Sequence, residues 1–174
     1  MIYGVTGMPL AGKTTVADLL EEKGFEVVDM GDVVREEMEK KDIPVGKTGK
    51  WVNKQRKKKG MDAIAQFTAP YIEEKESDKI VIPGMRGLNE KRRFEDELDQ
   101  ELEMIAVWAS PETRRKRREE RMREEDREGD EFEQRDQRDL ENGVGRLMAL
   151  SQYMIINEGL SIEELEKEVN QVVR

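Results

Sequence analysis

Apolar residues are sparse along this chain, yet they fall in short runs whose spacing marks the elements. Residues 2–5 (IYGV) predict a buried strand, followed by a glycine-bearing turn. Val16, Ala17, Leu19 and Leu20 then recur on one face of a helix over 14–23, which Gly24 closes. Residues 25–28 predict a second strand, so the opening reads as a strand, helix and strand of parallel-crossover length. A short helix is expected over 32–41 and a mostly helical stretch from 46 to about 74. The third strand is expected over 79–82, ending at Pro83-Gly84, and a helix over 90–98 leads to a fourth strand over 103–108. Residues 111–140 are charged throughout with helical propensity, and 153–156 predict the last strand. Ser161, with Glu164 three positions on, forms a capping box that opens a final helix.

Strands alternating with helices imply an α/β chain: a mostly parallel, five-stranded sheet with helices on both faces. The 174 residues suit one domain, with no internal repeat and no proline- or serine-rich linker. Only 36% of residues are hydrophobic and 41% are charged, so a compact core under a strongly charged surface is expected, not disorder. The net charge of −9 argues against a general nucleic-acid binder and confines positive charge to particular clefts. Cysteine and histidine are both absent, which removes disulfides, thiolates, most zinc sites and the usual base near neutral pH. Chemistry here must rest on carboxylates, lysine, arginine, backbone dipoles or a hard cation. The first residues have no leader-like pattern and no run approaches a membrane span, so a cytoplasmic, membrane-free protein is expected.

Gly7-Met8-Pro9-Leu10-Ala11-Gly12-Lys13-Thr14 matches G-x-x-x-x-G-K-[ST] at every fixed position. A loop that wraps a diphosphate must turn its backbone N–H groups inward, and glycine permits those turns. The next helix offers its positive N-terminal end to the same anion. Lys13 is then expected to reach the β- and γ-phosphates, Thr14 to bind Mg²⁺, and Thr15 to complete the nucleotide-binding set. A chance glycine turn is the plainer alternative, but an apolar strand before and an amphipathic helix after favour a phosphate cradle. The basic run Lys54, Arg56, Lys57, Lys58 and Lys59, near Trp51, suggests an RNA strip. An exposed helix face with one packed tryptophan explains it more simply.

Gly31-Asp32-Val33-Val34-Arg35 resembles the G-D-x-x-R segment of nucleoside monophosphate kinases such as adenylate kinase. Pro83-Gly84-Met85-Arg86 resembles the segment carrying their second phosphate-binding arginine. Arg114, Arg117, Arg121 and Arg123, followed by Asp126 and Arg135-Asp136, resemble an arginine-bearing lid. With Asn157-Glu158-Gly159 after the last strand, the whole order looks closest to small archaeal P-loop kinases similar to adenylate kinase or dephospho-coenzyme A kinase. The resemblance implies a three-layer P-loop NTPase fold, ATP with Mg²⁺, an acceptor region at about 31–75 and a lid at about 111–141. It further implies Lys13, Arg86, Arg121 and Asp29 as catalytic groups, and Asp32, Arg35 and Arg86 on the acceptor. Arg117 and Asn157 join the nucleotide site, Asn157 beside the adenine through backbone groups. Two departures stand out: Leu10 replaces a usual glycine, and Pro83 replaces a strand-ending aspartate that helps hold water around Mg²⁺.

Two acceptor types stay open. A monophosphate needs positioning charges, which Arg35 and Arg86 supply, whereas a hydroxyl benefits from a carboxylate such as Asp29 or Asp32. The first pattern is the closer, favouring a nucleotide-like acceptor, although turn and helix-cap chemistry would also explain both aspartates. An ATP-hydrolysing switch, an RNA-associated ATPase and a protein that has lost activity are the other readings. Oligomeric state is not legible.

Overall fold

The computed structural model describes residues 1–121 and 132–173, with Arg121 described by its backbone alone. Five strands form one all-parallel sheet: β1 (Ile2–Thr6), β2 (Glu26–Val27), β3 (Ile80–Met85), β4 (Glu103–Trp108) and β5 (Tyr153–Ile156). Their spatial order is β2-β3-β1-β4-β5. The period-two alternation of strands sends one set of side chains to each face. Tyr3, Val5, Val81, Ile105 and Val107 pack beneath α1 (Lys13–Glu21) and the last helix, Ile162–Val172. Ile2, Ile80, Ile82, Met85 and Met104 face the other way. They meet α2 (Met30–Glu39), α3 (Thr48–Lys59), α4 (Ala63–Glu73) and α5 (Leu88–Leu98). Helices therefore cover both faces, as the alternation of elements implies.

The charged segment begins as α6 (Pro111–Arg121) and resumes as α7 (Phe132–Glu141). A helix not anticipated, α8 (Val144–Ala149), follows and buries Val144, Leu147 and Met148 against the sheet. Too short for a clear apolar period, it left no legible pattern. The final helix, α9 (Ile162–Val172), opens with the Ser161–Glu164 capping box as expected.

Two strand boundaries differ from the sequence expectation. β2 shrinks to two residues because Val28 bonds to Val81 and the chain then turns into α2. β3 runs on through Pro83 and Gly84 to Met85, with a register shift where Val5 faces Pro83 and Thr6 faces Met85. A proline inside a sheet is tolerated where a ladder bond is not required. Here β2 stops beside Val81, so Pro83 stands past the last rung on that side. Trp51 is buried and tilts against Phe67 at 5.6 Å, so it serves the core.

Candidate active site

In open α/β sheets, ligands bind beyond the carboxyl ends of the strands, where the strand order reverses. β1 is that point, flanked by β3 and β4, and residues 7–12 leave its end. Gly7 adopts φ 148°, and a Cβ there would lie 2.2 Å from the Val107 carbonyl oxygen. Gly12 adopts φ 106°, and its Cβ would meet the Asn157 amide at 2.2 Å. Neither position admits a side chain. Leu10 sits at φ 67°, a left-handed conformation that costs a non-glycine residue about 1–2 kcal/mol. The departure at Leu10 thus keeps the glycine-like turn and adds strain.

The loop curls so that the Lys13 ammonium donates to the Gly7 and Met8 carbonyls, both at 2.9 Å. Ala11 is buried, its N–H bonded to the Met8 carbonyl at 3.2 Å, while Pro9 forms the outer turn. No side chain caps α1, so its first N–H groups face the loop's concavity. Thr14 is exposed at this helix start and Thr15 half-buried. Burial, then the neighbouring Arg86 guanidinium, lower Lys13 from its ordinary value to about 7; Asp139 and Asp29 oppose them. An ammonium so destabilised in the empty protein gains most from an arriving anion.

Arg86 lies at the end of β3. Its Nε donates to Asp139 Oδ1 at 3.0 Å, and Nη1 reaches the Gly84 carbonyl at 3.3 Å. Asp139 is buried on α7 and, with Glu90, strengthens the Arg86 cation. Asp29 caps α2, its Oδ1 accepting from the Gly31 and Asp32 N–H groups at 2.6 and 3.0 Å. The cap is therefore Asp29, not Asp32. Asp32 is exposed and paired with Arg35 one turn on, an arrangement that costs little to break at the surface.

Beside this cluster a cleft, partly open to solvent, runs between α2, α3 and α7. Five arginines line it (Arg35, Arg56, Arg86, Arg135 and Arg138) against one acidic residue, Asp139. In a chain of charge −9 this is a concentrated positive site. Arg56 was expected on an exposed helix face, but it is buried. Its Nη2 donates to Glu90 Oε1 at 2.8 Å, while Glu90 Oε2 accepts from the Arg86 backbone N–H at 2.6 Å. The signal available was Val52 to Arg56, an i,i+4 pair that puts Arg56 on the packed face. Asp139 and Glu90 were hidden in runs of mixed charge that read as solvated surface.

A second cleft lies across the loop and is lined by Leu10, Gly12, Thr15, Arg117, Asn157 and Leu160, among others. Arg117 Nη1 donates to the Leu10 and Ala11 carbonyls at 3.1 Å each, and Nη2 to the Asn157 carbonyl at 2.9 Å. Asn157 was expected to offer backbone groups. Instead its N–H bonds to the Trp108 carbonyl, its carbonyl accepts from Arg117, and its side-chain amide donates to Ala11. Glu158 is held down to about 2 by the Ser110 and Thr113 hydroxyls and then the Ser110 N–H, tying the start of α6 to the end of β5.

Both described ends of the charged segment are pinned. Arg114 is buried, donates to the Ala109 and Pro9 carbonyls, and pairs bidentately with Asp136 at 2.7 and 2.6 Å. Arg115 pairs with Glu133 at the surface. The Arg121 side chain, Arg123 and Asp126 lie outside the described residues.

Mg²⁺ was expected at Thr14. Among the described residues no group of three acidic side chains could hold a cation, and Pro83 brings no oxygen. The exposed Thr14 hydroxyl and the nearby Asp29 carboxylate nevertheless suit a hydrated hard cation carried in on phosphate oxygens.

Sheet order, cradle and flanking clefts define a P-loop kinase-like protein. The chain belongs to the UPF0200 family, and its residues 6–135 match the family model described as an AAA domain. It is 37% identical over 175 residues to the UPF0200 protein of Methanothermobacter thermautotrophicus, covering 100% of this chain and 90% of the relative. The Pyrococcus abyssi relative is 34% identical over 180 residues, with coverage of 100% and 96%. Among solved structures, shikimate kinase from Acinetobacter baumannii in complex with shikimate has a TM-score of 0.63 at 18% identity, covering 99% of this chain and 91% of its own. A gluconokinase from Sinorhizobium meliloti gives 0.58 at 15%, covering 97% and 87%. These likenesses concern the fold. No helix among the described residues is long and apolar enough to cross a membrane.

Proposed function

We propose that the protein is an ATP-dependent phosphotransferase that moves the γ-phosphoryl group to a small anionic, nucleotide-like acceptor. The observation that carries this reading is the arginine-lined cleft joined to the phosphate loop through Arg86 and Lys13. A pure ATPase needs the loop but has no use for a second, arginine-lined cleft beside it.

Residues 7–15 hold the nucleotide phosphates, and the cleft beside Arg117 and Leu160 takes the base. Lys13 leaves the Gly7 and Met8 carbonyls for the β- and γ-phosphates, regaining its proton affinity as it does so. Thr14 and Asp29 are the residues that would hold Mg²⁺, and the ion would supply charge neutralisation at the β- and γ-oxygens. The segments at 31–75 and 111–141 act as acceptor region and lid. An acceptor oxygen attacks the γ-phosphorus as the bond to the β–γ bridging oxygen breaks, leaving ADP. Lys13, Arg86 and a lid arginine, for which Arg121 is placed by sequence, offset the charge on the transferring group. Arg35 positions the acceptor, with Asp32 as its surface partner. Where the acceptor is a hydroxyl, Asp29 takes the proton.

The test is acceptor-dependent ADP release with Mg·ATP, screening nucleoside monophosphates, dephospho-coenzyme A and shikimate. At least one acceptor should raise turnover well above the basal rate. ADP release indifferent to every acceptor would favour a hydrolysing switch instead.

A further inference from the structure

We propose that Arg56 binds an oxyanion of the acceptor, a phosphate or carboxylate separate from the oxygen that receives the phosphoryl group. The word acceptor rests on the phosphotransferase reading above; the anion site does not.

Arg56 has a side chain only 4% exposed, yet its donors are mostly unspent. Nη2 is held by Glu90, whereas Nε and Nη1 find no hydrogen-bond partner among the described residues. Nε carries one hydrogen and Nη1 two, and a guanidinium cannot shed its proton to escape the penalty. Buried polar groups are almost always satisfied, so unspent donors on a residue that lines a cleft mark a place where a ligand completes the set. Arg56 lines the same cleft as Arg35, Arg86 and Arg138.

Glu90 makes the site rigid. One oxygen fixes the Arg56 guanidinium and the other fixes the Arg86 N–H, so the two arginines sit on opposite sides of one buried carboxylate. The Arg86 side chain turns away from this bridge, towards Asp139 and the Gly84 carbonyl on the Lys13 side. An oxygen positioned for attack belongs beside Lys13 and Arg86. The oxygens that satisfy Arg56 are therefore other than the attacking one, and belong to a phosphate or carboxylate of the acceptor.

The test uses the full chain saturated with Mg·ADP, so that the phosphate loop is filled before any probe is added. Inorganic phosphate and, separately, acetate are titrated while the Arg56 Nε–H resonance is followed by NMR, and probe affinity in the wild type and in each variant is measured by calorimetry. One of the two should shift it along a saturable curve, phosphate alone assigning a phosphate-bearing acceptor and acetate alone a carboxylate. Arg56→Lys keeps a charge for Glu90 but loses the planar donors, so probe affinity should fall about tenfold or more. Arg56→Met with Glu90→Gln removes the pair together, keeping the fold testable, and should abolish the response with ADP affinity unchanged. A resonance that neither probe moves, or an Arg56→Lys protein that binds the probe like the wild type, would overturn the proposal and leave Arg56 as a hydrated structural cation. If the probe binds through Arg56 but no acceptor ever supports ADP release, the anion site stands and the phosphotransferase reading falls.

Discussion

Lys13→Met should stabilise the empty protein near neutral pH while abolishing nucleotide binding. The ammonium is lowered from 10.5 to about 7, chiefly by burial. At 1.36 kcal/mol per unit the full shift corresponds to about 5 kcal/mol, and solvent reaching the half-buried side chain reduces this to about 2–3 kcal/mol. The unfolded chain keeps its proton up to pH 10.5, while the folded chain loses it above about 7. Between those values the unfolded state binds more protons, so this group makes wild-type stability rise with pH. Below about 7 both states are protonated and the penalty is complete. The mutant lacks the penalty but forgoes the bonds to Gly7 and Met8, worth about 1 kcal/mol together. Its advantage should be about 1–2 kcal/mol at pH 7 and should reverse by pH 10, a swing of about 2–3 kcal/mol. Urea unfolding of both proteins from pH 6 to 10 measures this directly, since other titrations cancel in the difference. A pH-independent difference would show that Lys13 is not destabilised in the empty loop. Phosphates restore the ammonium, so wild-type Mg·ADP affinity should also weaken from pH 7 to 9.

Three further substitutions probe the groups around the loop. Asp139→Asn should leave Arg86 without its ion partner and reduce stability by about 1–3 kcal/mol, discounted because Arg86 is partly exposed; thermal unfolding reads it, and an unchanged midpoint would remove Asp139 from the site. Arg114→Met should cost about 3–5 kcal/mol, because it strips a buried bidentate pair with Asp136 and the tie to Pro9; a loss under about 1 kcal/mol in urea would contradict the pinning of α6 to α7. Asp29→Asn should raise the magnesium concentration needed for activity, or lower turnover at saturating magnesium if the carboxylate is the base. An unchanged curve and maximal rate would leave Asp29 as the α2 cap alone.

The sheet and the phosphate cradle were legible because both are written locally. An apolar strand, fixed glycines and an amphipathic helix determine residues 2–21 with little help from distant sequence. The arginine-lined cleft was half legible. Arg35 on α2 and Arg86 at the end of β3 stand where a motif marks them, but Arg56 lies among lysines and only tertiary packing separates it from them. Asp139 and Glu90 were invisible for a related reason: a buried carboxylate and a solvated one look alike in a mixed-charge helix. The α6–α7 pinning arises from Arg114 and Asp136, 22 positions apart, beyond the reach of any local pattern. The tolerance of Pro83 in β3 depends on where β2 stops, which the run FEVV does not reveal.

The central claim is transfer, and following γ-labelled phosphate tests it most directly. With Mg·ATP and a competent acceptor, label should appear on the acceptor in a one-to-one ratio with ADP, and Lys13→Met should abolish both. Label that accumulates only as inorganic phosphate, at a rate no acceptor changes, would contradict the claim and make the protein an ATPase.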